Sequence, residues 1–366
     1  MSIATSEFIQ SLPTAEQAIA RLRELGMPRR NNELWSFFPV AKIPTPEFMG
    51  TDFAASSAAN PAASPTDQAS PAAPAANETA APAIQETDFA ALLPIANQAR
   101  PMIREIVPGA AEMAMLKCNN DFGHTVLEIG KNAKVSLEIL DNKVTHDIAA
   151  ERFDINVGED ADVEIFFANP ACDLPLRFRH FNINQAAGAN VRFSSICKDT
   201  AIGRISVECH LKGEGANFDY RSLHVLDGEA SQHSRLTIYH EAPRTTSTQL
   251  ARNLLSGSAR VSYDGSVIVG YDCTGVNSSQ LVNTILMSED ASVSVKPVLK
   301  IYHDDVECTH GNTVGELDAE QMFYLVSRGI PKKTAQEMLM RSFAQETFLP
   351  LPDSPAKKRL MAELEK

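Results

Sequence analysis

A short turn motif returns at nearly equal intervals through the middle of the sequence. In each copy, small or acidic residues precede an alanine, and the apolar start of a strand follows two residues later. The alanines of the first four copies stand at positions 133, 161, 189 and 216, so successive copies are 28, 28 and 27 residues apart. Later copies place alanines at positions 259 and 291, with wider spacings of 43 and 32 residues. A period of roughly 20–50 residues is typical of repeat architectures, in which each unit stacks on its neighbours.

The segments between these turns have the pattern of short β-strands. Apolar and polar residues alternate in runs such as VSLEI at 135–139, VEIFF at 163–167 and ISVEC at 205–209. An alternation with a period of two residues is typical of β-strands. No helical pattern intervenes, so the repeat predicts a mainly β fold, a β-helix or a related β-solenoid. A β-sandwich, which also turns at short intervals, is the alternative that the pattern leaves open.

A helix and an aromatic cluster are predicted near the N-terminal end. Thr14 and Gln17 fit a capping box, and the apolar residues that follow share one face, so we expect a helix over residues 14–26. An aromatic group follows it and is expected to anchor this segment in a small cluster. Its members are Trp35, Phe37 and Phe38.

A change of composition then marks a linker. Residues 54–83 contain no Val, Leu, Ile, Met, Phe, Tyr or Trp and are dominated by Ala, Pro and Ser. Such a segment cannot bury enough apolar surface to offset its ordering entropy, so it is predicted to be a disordered tether. The predicted division of the chain is an N-terminal helical segment at 1–50, the linker at 51–90, a β-helix core at 91–315 and a helical subdomain at 316–366.

The C-terminal subdomain is predicted to contain two paired helices and a third, charged segment. Asp318 is suited to cap the first helix, and Gly329 and Pro331 are suited to the break before the second. The two helices carry more apolar surface than they can bury between themselves. We therefore expect part of it to pack on the β region and the rest to bind a partner. The residues predicted for this surface are Met322, Phe323, Met338 and Phe343.

Charge, cysteine pattern and motifs exclude several classes of function. A net charge of −13 argues against binding to a phosphate backbone. The N-terminal sequence lacks the basic and apolar regions of a secretory signal, and no apolar stretch is long enough to span a bilayer. The six cysteines are scattered without a CxxC pair, which indicates reduced thiols and a cytoplasmic location. Phosphate-binding loops, nucleophile elbows and HExxH helices are absent from the sequence, so we expect a non-catalytic protein.

One segment, IYHDDVECTHG at 301–311, is dense in potential metal ligands. If it forms a strand, Cys308 and His310 point to the same side, because alternate residues of a strand share a face. A thiolate and an imidazole at this spacing can both reach one soft or borderline metal centre, with further ligands supplied by another molecule. The alternative is an ordinary strand end with a half-buried cysteine and a surface histidine. The histidines at 224, 233, 240 and 303, and Cys273, are expected to have no metal role.

Three pieces of the tract 296–330 resemble the signature of a known family. They read Lys-Pro-x-Leu-x-Ile-Tyr-x-Asp-Asp-Val, Cys-x-His-Gly-x-Thr-Val-Gly and Phe-Tyr-Leu-x-Ser-Arg-Gly-Ile. On the basis of these residues, the chain resembles the SufB/SufD family, whose members are subunits of the SufBCD iron–sulfur cluster assembly complex. Similar stretches occur at 25–35, 239–247 and 252–257. The SufB branch usually lacks the Cys-x-His-Gly string, so the resemblance favours the SufD branch.

The resemblance implies a right-handed parallel β-helix with a C-terminal helical subdomain. It implies pairing with a SufB-like subunit and docking of a SufC-like ATPase on the helices. It also implies that Cys308 and His310 lie near the subunit interface, where an iron–sulfur cluster forms transiently and is not held stably by this chain alone.

Three other functions remain as alternatives from the sequence. The first is a SufB-like or self-pairing scaffold, which forms a homodimer when isolated. The second is a polysaccharide-active β-helix enzyme, although such enzymes are usually secreted and lined with aromatic residues, which make up only 7% of this chain. The third is a structural solenoid in which Cys308 is dispensable.

Overall fold

The computed structural model describes residues 13–29, 35, 37–43, 88–97, 101–118, 122–141, 148–169, 176–198 and 201–365. The chain divides into two compact units, residues 1–100 and 101–366. The predicted tether at 54–83 lies outside the described residues, and the four predicted domain ranges stay a prediction.

The described part of the first unit consists of short helices. Its elements are α1 (Ala15–Leu25), a 3₁₀ turn (Val40–Lys42) and α2 (Phe89–Asn97). The predicted capping box is confirmed: the Gln17 amide donates to Thr14 Oγ1 at 3.3 Å, and the Thr14 amide donates to Gln17 Oε1 at 2.9 Å. Helix α2 was not predicted, because its sequence is apolar almost throughout and contains Pro94, which hides any helical period.

The aromatic cluster of this unit is confirmed for two of its three predicted members. Trp35 and Phe38 are buried and meet edge to face, with ring centroids 5.2 Å apart. The prediction for Phe37 is wrong, since 45% of this residue is exposed. Neighbouring residues of a non-helical segment point in different directions, so Phe37 and Phe38 do not share a side. The third member of the cluster is Phe89 of α2, whose ring centroid lies 6.4 Å from that of Trp35.

The second unit is a parallel β-solenoid, and its described residues form two sheets of eight strands. Odd-numbered strands form the first sheet and even-numbered strands the second, and neighbours within each sheet run parallel. This confirms the β-helix and removes the sandwich, whose sheets are antiparallel. The first sheet contains β1 (Met102–Ile106), β3 (Phe122–Ile129), β5 (Ile148–Val157), β7 (Leu176–Gln185), β9 (Ile202–Leu211), β11 (Ser231–His240), β13 (Arg260–Val269) and β15 (Ser292–Ile301). The second contains β2 (Ala111–Cys118), β4 (Lys134–Asp141), β6 (Asp162–Asn169), β8 (Asn190–Lys198), β10 (Asn217–Leu226), β12 (Thr246–Leu255), β14 (Val276–Leu286) and β16 (Val306–Gly315).

Turns of two kinds connect the sheets, and this explains the irregular spacing in the sequence. Where the chain passes from the first sheet to the second, a residue with positive φ precedes a buried residue, which is alanine in the earlier coils. The positive-φ residues are Asn132, Asp160, Gly188, Gly215, Arg244 and Gly275, and the buried residues that follow are Ala133, Ala161, Ala189, Ala216, Thr245 and Val276. The period therefore continues after Ala216 at Thr245 and Val276. Ala259 and Ala291 lie in the turns that lead from the second sheet back to the first. The spacing of 43 residues between Ala216 and Ala259 was therefore measured between two different kinds of turn.

The space between the inner faces of the two sheets, here called the lumen, holds the core. Its middle part is filled by a ladder of aromatic rings. The Phe181 ring centroid lies 4.8 Å from that of Phe153 and 4.9 Å from that of Phe193, and Phe193 stacks on Tyr220 at 5.4 Å. Each fully buried ring stabilises the fold by roughly 2–3 kcal/mol through the hydrophobic effect. From Ser195 of β8 onward, polar side chains join the inner face of the second sheet.

Three helices follow the solenoid: α3 (Ala319–Ser327), α4 (Lys332–Gln345) and α5 (Pro355–Glu363). Asp318 caps α3 as predicted, since its side chain accepts hydrogen bonds from the amides of Glu320 and Gln321. Nowhere in the described parts of the chain does a helix have the length and apolar character needed to cross a membrane.

The end of α4 and helix α5 are fastened to the outer face of the second sheet. An apolar cluster joins Leu223 and Leu254 of the sheet to Phe348 and Leu360 of the helical region. Arginines on the sheet reinforce this contact. Arg252 donates to the Phe343 carbonyl at 2.8 Å, and Arg221 donates to the Thr347 carbonyl at 3.1 Å. Part of the helical apolar surface is thus buried on the solenoid, as predicted.

Candidate functional site

The candidate site lies on β16, the last strand of the second sheet. Strand β16 pairs with β14, and in the described chain no strand pairs with its other edge. The register places Cys308 beside Ser278 and His310 beside Gln280. Ser278 and Gln280 are buried on the lumen side of the sheet. Cys308 and His310 therefore share the lumen-facing side of the last strand, as strand alternation predicted.

Cys308 and His310 differ in their exposure. Cys308 is half-buried and packs against a small apolar cluster that contains Val267, Val269 and Val276. Burial raises the pKa of the Cys308 thiol above its ordinary value, so the free thiol is protonated at neutral pH. His310 is exposed to solvent. The pair combines a sheltered sulfur atom with an accessible imidazole.

A thiolate and an imidazole are suitable ligands for iron, but two ligands do not complete a site. Within the described ranges, no group of three or more His, Cys, Asp or Glu residues is placed to hold a metal ion. The donor set fits a metal or cluster that this chain shares with another molecule.

The corner beside the site is occupied by residues of the preceding turns. His303 accepts a hydrogen bond from the Asp305 amide at 3.0 Å through Nδ1, and the Cys273 thiol donates to the His240 carbonyl at 3.1 Å. The Tyr271 and Tyr302 rings lie 4.9 Å apart and are largely exposed. His303 and Cys273 thus have local structural partners.

Three other histidines of interest are buried in the solenoid and bonded to neutral groups. His224 lies 2.7 Å from Asn253 Oδ1, His233 lies 2.6 Å from Ser262 Oγ, and His240 lies 2.9 Å from Ser247 Oγ. Burial lowers the pKa values of these imidazoles to about 4, about 3 and about 4, respectively. All three are therefore neutral at physiological pH.

A hydrogen-bonded row behind Cys308 was not predicted. Ser247 Oγ lies 2.9 Å from His240 Nε2 and 2.8 Å from Ser278 Oγ, and Ser278 is the strand neighbour of Cys308. Thr245 donates to the Ala242 carbonyl, so its oxygen accepts from His240 Nδ1 and leaves Nε2 as the acceptor for Ser247. The sequence signal for this row is a polar residue repeated one coil apart, which can be recognised only when the register is known.

The helical subdomain presents a second candidate surface. An open groove of about 830 Å³ is lined by α3 and by Leu339 of α4. Phe323 is 76% exposed and Met338 is 46% exposed, while Met322 is half-buried. Tyr324, which the sequence prediction omitted, lines the groove and is 56% exposed.

Phe343 does not belong to this free surface. Its ring lies under the Arg252 guanidinium at 4.7 Å and packs on the cluster that joins the helices to the solenoid. The prediction that Phe343 binds a partner is corrected accordingly. Helical periodicity shows that a face is apolar, but it does not show which apolar face contacts the sheet.

Comparison with known proteins relates this geometry to one family. Residues 113–343 match the family model described as "SUF system FeS cluster assembly, SufBD core domain". The chain is 31% identical over 244 residues to the iron–sulfur cluster assembly protein SufD of Escherichia coli, which is 66% of this chain and 57% of that protein. It is 29% identical over 157 residues to SufD of Bacillus subtilis, which is 43% of this chain and 36% of that protein. It is 31% identical over 144 residues to SufB of Bacillus subtilis, which is 39% of this chain and 31% of that protein. The matched segments thus span just over half of the first relative and about a third of the other two.

Proposed function

Because this chain belongs to the SufBD family of the SUF system for iron–sulfur cluster assembly, we propose that it acts as a SufD-like scaffold subunit without catalytic activity of its own. The observation that carries the proposal is the placement of Cys308 and His310 on one face of the terminal strand β16, whose outer edge has no strand partner in the described chain. Iron and sulfide are the cargo of such a site. The SufD assignment is favoured over a SufB-like role because the SufD match covers more of this chain.

The outer edge of β16 supports pairing with a SufB-like subunit. An edge strand offers backbone N–H and C=O groups that another strand can bind. A partner that adds a strand here would approach Cys308 and His310 and could supply the remaining ligands. The same edge allows self-pairing when no partner is available.

Shared ligation also suits release of the product. A thiolate is a strong iron ligand and an imidazole a weaker one, so the pair could hold iron without trapping a finished cluster. The protein would function in the cytoplasm and transfer its cluster to client proteins. The family assignment leaves the polysaccharide-enzyme alternative without support.

Purification of the intact chain from its host tests the proposal as a whole. We expect a SufB-like subunit and a SufC-like ATPase to co-purify, together with iron and acid-labile sulfide. Partner identification by mass spectrometry and metal analysis of the same sample provide the measurement. A chain that purifies without both partners, and without iron after anaerobic handling, would contradict the proposal.

The groove on α3 and α4 is proposed to bind the SufC-like ATPase. Changing Phe323 to Asp should reduce the amount of co-purified ATPase by about 30-fold, because losing a central aromatic anchor commonly costs at least 2 kcal/mol. The melting temperature should not change, since Phe323 is exposed. Pull-down with the SufB-like subunit in the same sample provides the comparison.

A matched control for this experiment is Leu349→Asp. Leu349 is 52% exposed and follows α4 outside the groove. It should retain the ATPase. Equal binding of ATPase by the Phe323→Asp protein and the wild-type protein would show that the groove is not the docking site.

A further inference from the structure

Four hydroxyl groups converge inside the solenoid at the end of the aromatic ladder. Ser195 of β8 and Ser222 of β10 are strand neighbours, Tyr220 lies two residues before Ser222, and Ser234 is on β11 of the opposite sheet. All four are buried, with at most 2% of each residue exposed. The three serine hydroxyls are close enough to favour the ionised form of Tyr220, although burial dominates and raises the pKa of Tyr220 to about 12.

These four oxygen atoms lack hydrogen-bond partners at proper geometry within the described residues. A buried polar atom without a partner costs roughly 1–3 kcal/mol, and native proteins contain few such atoms. Four in one place, each able to donate one hydrogen bond and accept others, make a site for a small molecule that does both.

A row of amides continues from this hydroxyl cluster towards the candidate metal site. The strand register stacks Tyr220, Gln249, Gln280 and His310 on the inner face of the second sheet. Gln249 Oε1 accepts from the Tyr263 hydroxyl at 3.0 Å, but its Nε2 atom has no partner in the described chain. Both Oε1 and Nε2 of Gln280, which is 3% exposed, likewise lack a partner at proper hydrogen-bond geometry, although the amide lies close enough to the Tyr263 hydroxyl to favour the ionised form of Tyr263.

Gly265 makes room for the Gln280 amide. A Cβ atom at this position would lie 1.7 Å from Gln280 Nε2, so the amide reaches across the lumen to the opposite strand. The row therefore crosses the space between the sheets and continues to the exposed end at His310.

We propose that the lumen binds ordered water, with one molecule held by the hydroxyls of Ser195, Tyr220, Ser222 and Ser234 and others along Gln249 and Gln280. Water suits the site because it donates and accepts, as these groups require, and buried waters typically make about three hydrogen bonds. A metal cation does not suit it, because the four hydroxyls are neutral and no carboxylate is among them. This inference goes beyond the proposed function and does not depend on it.

A crystal structure of the intact chain, at a resolution that shows ordered solvent, tests the proposal directly. We expect a density peak at about 2.6–3.0 Å from the Tyr220 hydroxyl and at least two of the serine oxygens. Hydroxyls bonded directly to one another, with no density between them, would overturn the proposal.

Relaxation dispersion of water oxygen-17 in solution counts water molecules with long residence times inside the protein. The double variant Ser222→Ala, Ser234→Ala should lose at least one such molecule. Ser266→Ala, which changes a half-buried serine on the outer face of β13, should lose none. An unchanged count in a folded double variant would contradict the proposal.

The substitution Tyr220→Phe tests whether the Tyr220 hydroxyl is hydrogen-bonded to water in the lumen. If water satisfies the hydroxyl, its removal should lower the melting temperature by about 2 °C or more. If the hydroxyl is buried with neither water nor a serine hydroxyl as its partner, its removal relieves a cost, so an unchanged or raised melting temperature would count against bound water.

Discussion

Replacing Cys308 with serine and His310 with alanine in one chain is expected to abolish most of the iron and sulfide that purify with the assembled complex. Both residues lie on the lumen-facing side of β16, and no third candidate ligand joins them in the described structure. Loss of supporting groups around a metal commonly costs about 10–100-fold in affinity, so loss of both direct ligands should cost at least as much. Iron and acid-labile sulfide per complex, measured after anaerobic reconstitution, provide the result.

The single variants should differ in strength. Cys308→Ser removes the stronger iron ligand and should have the larger effect, whereas His310→Ala removes an exposed imidazole and should lower occupancy without disturbing the fold. Thr309→Ala lies between them on the opposite strand face and serves as the matched control. A folded double variant that assembles clusters at the wild-type rate would show that the two residues are an ordinary strand end.

The folded protein is expected to lose much of its stability as the pH falls from about 6.5 to about 4. In the unfolded chain, His224, His233 and His240 would titrate near 6.5. In the fold their pKa values are lowered to about 4, about 3 and about 4. Between these limits the unfolded state binds more protons, so the free energy of unfolding rises with pH and is lost on acidification. Each imidazole accounts for roughly 3 to 5 kcal/mol across its full window, since one pKa unit corresponds to about 1.4 kcal/mol.

Denaturant titrations at several pH values between 7.5 and 4.5 measure this loss. His224→Gln should make the dependence on pH shallower by about one proton. The buried carboxylate of Asp154, whose pKa is held well below its usual range by Arg152 and His124 despite its burial, acts at lower pH. A free energy of unfolding that stays constant from pH 6.5 to 4.5 would contradict the assignment of buried neutral histidines.

Local patterns in the sequence predicted local structure well. The capping box of α1, the Asp318 cap and the common face of Cys308 and His310 each depend on residues two or three positions apart. The solenoid itself could be predicted because its turns need a small residue after a left-handed one, and alanine at 133, 161, 189 and 216 marks them. The alanine repeat could not be followed in the sequence at Thr245 and Val276, because larger residues occupy the equivalent turn positions there.

The environment of the site depends on long-range register, which the sequence does not mark. Ser278 and Gln280 lie under Cys308 and His310 only because β14 and β16 pair with an offset of 30 residues. Coil lengths vary, and an error of one residue would turn every side chain to the other face of the sheet. The same limit applies to the helices, where periodicity alone did not separate Phe343, bound to the solenoid, from the exposed Phe323 and Tyr324.

The terminal position of β16 affects how easily this strand opens locally. In a solenoid each coil is stabilised mainly by its immediate neighbours, so cooperativity runs along one dimension. Interior coils such as β9 and β10 contact neighbours on both sides, whereas β15 and β16 have a strand partner on one side. The free energy of local opening should therefore decrease towards the C-terminal coil, with amide hydrogens of β16 exchanging before those of β10. The segment that carries Cys308 and His310 is thus more easily reshaped by a binding partner than the interior coils are.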